Sequence, residues 1–165
     1  MITFTFNDLK DITSHIFLKD TFDSFLLYEA EFVTGSTFSI DGALQRDFFD
    51  SDELEQLDET DYVRWSRIKP ICFSIIKGKK LPLSFKITFK LSKNNTERFI
   101  NQTGISLSAD EINGLLLNLR YQNNRLIAVT GTSTRNFTLD RSYEKEWDEL
   151  IIKFFKKKDI LIEYL

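Results

Sequence analysis

Apolar and polar residues alternate along most of this chain, as they do when an antiparallel sheet buries one face and wets the other. Ile2, Phe4 and Phe6 are separated by Thr3 and Thr5. Leu26, Tyr28, Ala30 and Phe32 fall on one expected face, with Glu29 and Glu31 on the other. After a turn at Thr34-Gly35-Ser36, Phe38 and Ile40 resume the apolar side and complete a hairpin. Ile71, Phe73 and Ile75 read as another strand, followed by the turn Lys77-Gly78-Lys79-Lys80 and an unbroken alternation from Leu83 to Leu91. Leu115, Leu117, Leu119 and Tyr121 lead through Asn123-Asn124 into Leu126 to Val129, and Phe137 and Leu139 end the strand-like material.

Helical spacing interrupts this pattern. Leu9, Ile12, Ile16 and Phe17 recur at i, i+3, i+7 and i+8 behind an Asn7 or Asp8 cap. A helix opening at Ser92 buries Phe99 and Ile100 and stops at Gly104, and Ser108-x-x-Glu111 forms a capping box about one turn before the next strand. Residues 43–69 read as a helical connector with one or two short helices between Asp50 and Arg67, ended by Pro70. Trp147, Leu150, Ile151, Phe154 and Phe155 make a full amphipathic stripe, which predicts a C-terminal helix over about 142–158. The tail Ile160, Leu161, Ile162, Tyr164 and Leu165 reads as a final strand, or as a peptide that docks on a partner.

The element order repeats. Residues 1–41 run strand, helix, strand, turn, strand; residues 83–140 run in the same order and add a strand. The two units are either copies of one β-α-β-β(-β) module or a coincidence of order. The expected fold is α+β, one domain over residues 1–165, with a mostly antiparallel sheet. The second unit, INGLLLNLRYQNNRLIAVTGTSTRNFTLD, resembles the strand-turn-strand portion of bacterial DNA sliding clamps, whose domains are built from two such units. That resemblance implies a clamp-like architecture and a place near DNA or a replication-type partner. The strings FDSFLLYEAEF, FSIDG with DFFD, and KPICFSIIKGKKLPLSFKITFKLS together resemble a small family of Gram-positive bacteria with no assigned function. This likeness spans nearly the whole chain and implies no activity.

Composition narrows the chemistry. The 165 residues include one Cys and one His, so Cys72 has no disulfide partner within the chain and zinc sites built on several Cys or His are excluded. Cys72 reads as a small buried hydrophobe in the strand around Ile71 and Phe73, and His15 as a helix-surface residue with no catalytic partner. No basic stretch followed by an apolar one opens the chain, and no apolar run reaches the roughly 18 residues of a membrane span. These features predict a cytoplasmic protein without a membrane partner. Gly78-Lys79-Lys80 and Gly131-Thr132-Ser133-Thr134 each lack part of a phosphate loop and read as turns.

Charge is segregated although the net charge is only −3. Asp41, Asp47, Asp50, Asp52, Glu53, Glu55, Asp58, Glu59 and Asp61 face a single Arg46. This acidic run lacks a calcium-loop pattern and implies no metal. The following stretch is basic, and Arg64, Trp65, Arg67, Lys69, Lys77, Lys79, Lys80, Lys93 and Arg98 are the candidate nucleic-acid or anion-binding residues, with Tyr62 as a second stacking group. The alternative is a pair of solvated segments of opposite sign, in which Lys86 and Lys90 protect a strand from edge pairing. No catalytic residue, cofactor or metal is implied. The expected function is a non-enzymatic binding or scaffolding domain with a protein or nucleic-acid partner. The alternatives are a small-molecule-binding protein or enzyme with a carboxylate and lysine pocket, and an oligomeric structural module.

Overall fold

A computed structural model describes residues 1–57 and 61–165. Its seven strands are β1 (Thr3–Phe6), β2 (Leu26–Val33), β3 (Thr37–Asp41), β4 (Ser84–Lys90), β5 (Ile112–Gln122), β6 (Arg125–Thr134) and β7 (Ile162–Tyr164). They form one sheet in the order β3-β2-β4-β5-β6-β1-β7, antiparallel at every pairing. The helices are α1 (Leu9–Phe17), α2 (Ser51–Gln56), α3 (Trp65–Ile76), α4 (Lys93–Thr103) and α5 (Ser142–Lys157). The fold is therefore α+β, with the amphipathic C-terminal helix in place.

Local chemistry sets most boundaries. The Asp8 carboxylate accepts from the Asp11 amide at 2.9 Å to cap α1, and Ser92 caps α4 through the Asn95 amide at 3.3 Å. Gly104 ends α4 in the left-handed conformation at φ 68°. Asn123 and Asn124, both at positive φ, make the two-residue turn between β5 and β6, whose twist matches that of the strands it joins.

Register places one buried row beside another. Phe32, Phe85, Tyr121 and Leu126 lie side by side across β2, β4, β5 and β6; Ala30, Ile87, Leu119, Ala128 and Phe4 form the next row. On these rows sit the buried residues of the helices: Ile12, Ile16 and Phe17 of α1, Trp65 and Cys72 of α3, Phe99 of α4, and Trp147, Ile151 and Phe155 of α5. Aromatic rings fill the layer between: Phe89 stacks on Phe22 at 5.1 Å and meets the edge of Trp65 at 5.1 Å. The opposite face carries Glu31, Lys86 and Arg120 in one cross-strand row.

Several features differ from the sequence pattern, among them Gly131 to Thr134, which lie inside β6 rather than in a turn. Ile71, Phe73 and Ile75 belong to α3, which runs through Pro70 rather than ending there; Trp65, Ile68 and Cys72 supply the i, i+3, i+7 spacing that packs on the core, and Ile71 is 55% exposed. Phe137 and Leu139 form no strand and are 90% and 88% exposed, because β6 ends at Thr134 opposite Ile112, where its partner strand begins. Tyr28 leaves the apolar face at a bulge that brings Leu27 inward instead. His15 is buried rather than on a helix surface, its Nδ1 2.6 Å from the Thr21 hydroxyl. The repeated element order is present, but pairing is not repeated: β4 lies beside β5, whereas β1 lies between β6 and β7 and away from β2. The C-terminal tail supplies β7, paired with β1 at the sheet edge.

Candidate functional site

Among the described residues two bulges interrupt the sheet, and both lie at one end of it. In β2, Leu27 pairs with Phe89 and Glu29 with Thr88, leaving Tyr28 as the extra residue. In β5, Ile112 pairs with Thr134 and Gly114 with Ser133, leaving Asn113 as the extra residue. A bulge bends the strand and re-aims a side chain. Here both re-aimed residues line a single cleft of about 770 Å³. Lys90 and Leu116, adjacent in register, form its floor on the face opposite the core. Gly114 keeps that floor low, since a Cβ there would stand 3.2 Å from the Leu116 side chain and 3.6 Å from that of Lys90.

One wall is made where the chain crosses β2 after β3. Ala43 bridges Tyr62, and Leu26 bridges Arg64. The crossing is held by the Val63 amide donating to the Gly42 carbonyl at 2.9 Å, Leu27 to Val63 at 2.8 Å and Leu44 to Asp61 at 2.8 Å. Gly42 is required by close approach: any Cβ there would overlap the Leu27 carbonyl oxygen. This crossing seats the Tyr62 ring 5.2 Å from that of Tyr28, and the Lys90 ammonium lies 4.7 Å from the Tyr62 centroid. Burial, followed by Tyr28 and Asp41, pushes the Tyr62 phenol above its ordinary pKa, so at neutral pH it is an uncharged hydrogen-bond donor.

Four cationic groups, Arg46, Lys90, Lys93 and Arg135, face two carboxylates, Asp61 and Asp110, around the cleft. Among the described residues, the side chains of Arg46, Lys93 and Arg135 have no hydrogen-bond or ion-pair partner. Lys93 opens α4 and is exposed, while Thr96, one turn on, is buried against the same cleft with its hydroxyl donating to the Ser92 carbonyl at 2.8 Å. Neither His15 nor Cys72 lines the cleft. Burial pushes the Cys72 thiol up to about 12, which keeps it protonated. The arrangement can attract and orient an anion, and it offers no imidazole or thiolate to transform one.

The basic residues singled out by sequence part company here. Lys93 lies in the cleft, and Arg64 and Arg67 line a smaller hollow of about 50 Å³ that shares Leu44 and Tyr62 with it. Trp65 is fully buried and donates its indole N–H to the Ile16 carbonyl at 2.8 Å, leaving no face for a base. The Lys69 ammonium is taken up by Asp23 at 2.6 Å and by the Lys19 carbonyl at 2.9 Å. Arg98 is exposed farther along α4. Lys77, Lys79 and Lys80 precede β4, whose length separates them from Lys90 by roughly 20 Å. Arg46, Lys90, Arg135, Tyr28 and Asn113 were not legible as site residues. Their one local signal is Asn113-Gly114 inside a strand pattern, which marks a bulge.

Asp50 of the acidic run caps α2 by accepting from the Glu53 amide at 2.8 Å, while Asp58 and Glu59 lie outside the described residues. Among the described residues, no group of three or more His, Cys, Asp or Glu side chains could hold a metal ion, and no helix is long and apolar enough to cross a membrane. No curated protein and no solved structure matches the chain, so the clamp likeness gains no support there. A family model does match, over residues 15–163, and the chain belongs to that family, DUF5721, a family of unknown function.

Proposed function

We propose that this protein is a non-enzymatic binding domain whose cleft takes an anionic small molecule. The observation that carries this reading is the excess of cationic over acidic groups around a concavity of about 770 Å³, with Arg46, Lys93 and Arg135 lacking side-chain partners among the described residues. Charges held by a protein in this way attract an anion, and a concave wall limits screening by water. The cleft favours the small-molecule reading over a DNA track, because the remaining basic residues are divided between opposite ends of β4.

Thermal unfolding with inorganic pyrophosphate at low ionic strength tests the proposal. Saturation at about 100 times Kd stabilises by about 2.7 kcal/mol, which for a chain of this size raises Tm by roughly 5–10 °C. The double variant K93A/R135A changes two exposed side chains, so its own Tm should stay close to that of the wild type while the pyrophosphate shift disappears. An equal shift in both proteins would overturn the cleft as the anion site.

A further inference from the structure

We infer that the ligand of this cleft is nucleotide-like, an aromatic heterocycle joined to a phosphate, with the ring on Tyr28 and the phosphate toward Lys93 and Arg135. This deepens the anion-site reading and rests on it.

An unbroken β2 would have continued the alternation and turned the Tyr28 ring into the core with Ala30 and Phe32; the bulge turns it outward and leaves it 38% exposed. An aromatic ring brought out of a Phe-rich core and set against a second tyrosine forms a platform for a planar group. The platform is braced from behind. Tyr62 is held by the crossing at Gly42 and by the Lys90 ammonium near its ring, so Tyr28 packs on a fixed neighbour.

The anion end follows from the sheet geometry. Tyr28 is on β2, Lys93 follows β4, and Arg135 follows β6. β2 and β6 are three interstrand steps apart, about 14 Å. Arg135 and Tyr28 line the same cleft, so a ligand that touches both must bridge a span of this order, as a ring, sugar and phosphate joined together do. Between the two ends the floor is Lys90 and Leu116, kept low by Gly114, which suits a compact spacer. Asn113, the other bulged residue, contributes an amide with both donor and acceptor to the same cleft. A simple anion would use the cationic groups and leave the tyrosine pair without a role.

Calorimetric titration of the full chain with inorganic phosphate, adenosine monophosphate and adenosine, in wild type and in Tyr28→Ala and Tyr28→Phe, tests the inference. The expected result is that adenosine monophosphate binds at least about tenfold more tightly than inorganic phosphate. Tyr28→Ala should remove that ratio without weakening phosphate itself, and Tyr28→Phe should keep it. Phosphate binding that is lost in K93A/R135A, with adenosine monophosphate no tighter or with its advantage untouched by Tyr28→Ala, would overturn the nucleotide inference and leave the anion site standing. Absence of binding by both phosphate and adenosine monophosphate would overturn the two together. Tyr28 is exposed and outside the core cluster, so each variant is expected to fold; an unchanged unfolding transition checks this.

Discussion

Replacing Gly42 by Ala tests the account of how the cleft wall is built. The glycine amide donates to the Tyr28 carbonyl at 3.0 Å, its carbonyl accepts from Val63 at 2.9 Å, and Leu27 then donates to Val63 at 2.8 Å. A methyl group at this position meets backbone atoms of Leu27 and Tyr28, which cannot rotate away as a side chain would. Either the crossing segment moves and the three hydrogen bonds are lost, at about 0.5–1.5 kcal/mol each, or the overlap is borne as strain of about 1–3 kcal/mol. The expected loss is about 2–4 kcal/mol, a large part of the roughly 5–15 kcal/mol that holds a typical domain together. Urea unfolding monitored by circular dichroism reads this directly, and the corresponding fall in Tm is roughly 5–15 °C. Gly35→Ala is the internal comparison. Nothing lies within 4 Å of a Cβ at Gly35, so that variant should be neutral or gain about 0.4–1 kcal/mol through the unfolded state. A Gly42→Ala protein within about 0.5 kcal/mol of the wild type would refute the close-approach argument.

Three further outcomes are expected. Pro70 lies inside α3 and cannot donate to the Ser66 carbonyl, so Pro70→Ala should raise stability by about 1–2 kcal/mol in urea unfolding. His15 has its pKa lowered from the ordinary 6.5, first by burial, then by Lys19, with Asp11 opposing and Lys158 adding to the effect. The folded state thus resists the proton that the unfolded chain accepts. His15 contributes stability that is complete above about pH 6.5 and is lost as pH falls from there through the folded-state value, so the wild-type fall in Tm between pH 7.5 and 5.5 should be shallower in His15→Gln. Cys72, buried and pushed up to about 12, should stay unmodified by iodoacetamide at pH 8 in the folded protein and react within minutes in denaturant, as read by intact mass.

Much of the architecture was legible because the signals that specify it are local. Strand alternation from Leu83 to Leu91, the Asp8 and Ser92 caps, the Gly104 stop, the Ser108 capping box and the Asn123-Asn124 turn all act within a few residues, and each appears where the pattern predicts it. Pattern and structure part where a short pattern fits two periods. Ile71, Phe73 and Ile75 alternate, yet residues 65–72 also carry a helical stripe, and packing of Trp65 on Phe89 and on the Ile16 carbonyl selects the helix. Phe137 and Leu139 alternate too, but a strand needs a partner, and none continues beside them past Ile112.

The candidate site was the least legible part. Its cationic groups come from the β3–α2 connection, the end of β4, the start of α4 and the end of β6, and no spacing along the chain records that these meet. The sequence by itself determined the α+β class, most element boundaries and the absence of the residues on which Cys- or multi-His chemistry depends. Only the tertiary structure decided which of the scattered charges share a cleft, turned Tyr28 out of the core, buried Trp65 and gave the Lys69 ammonium to Asp23. The physical reason is range: caps, turns and alternation depend on neighbours a few residues away, whereas a cleft depends on the strand order and on two bulges set by pairing between distant segments.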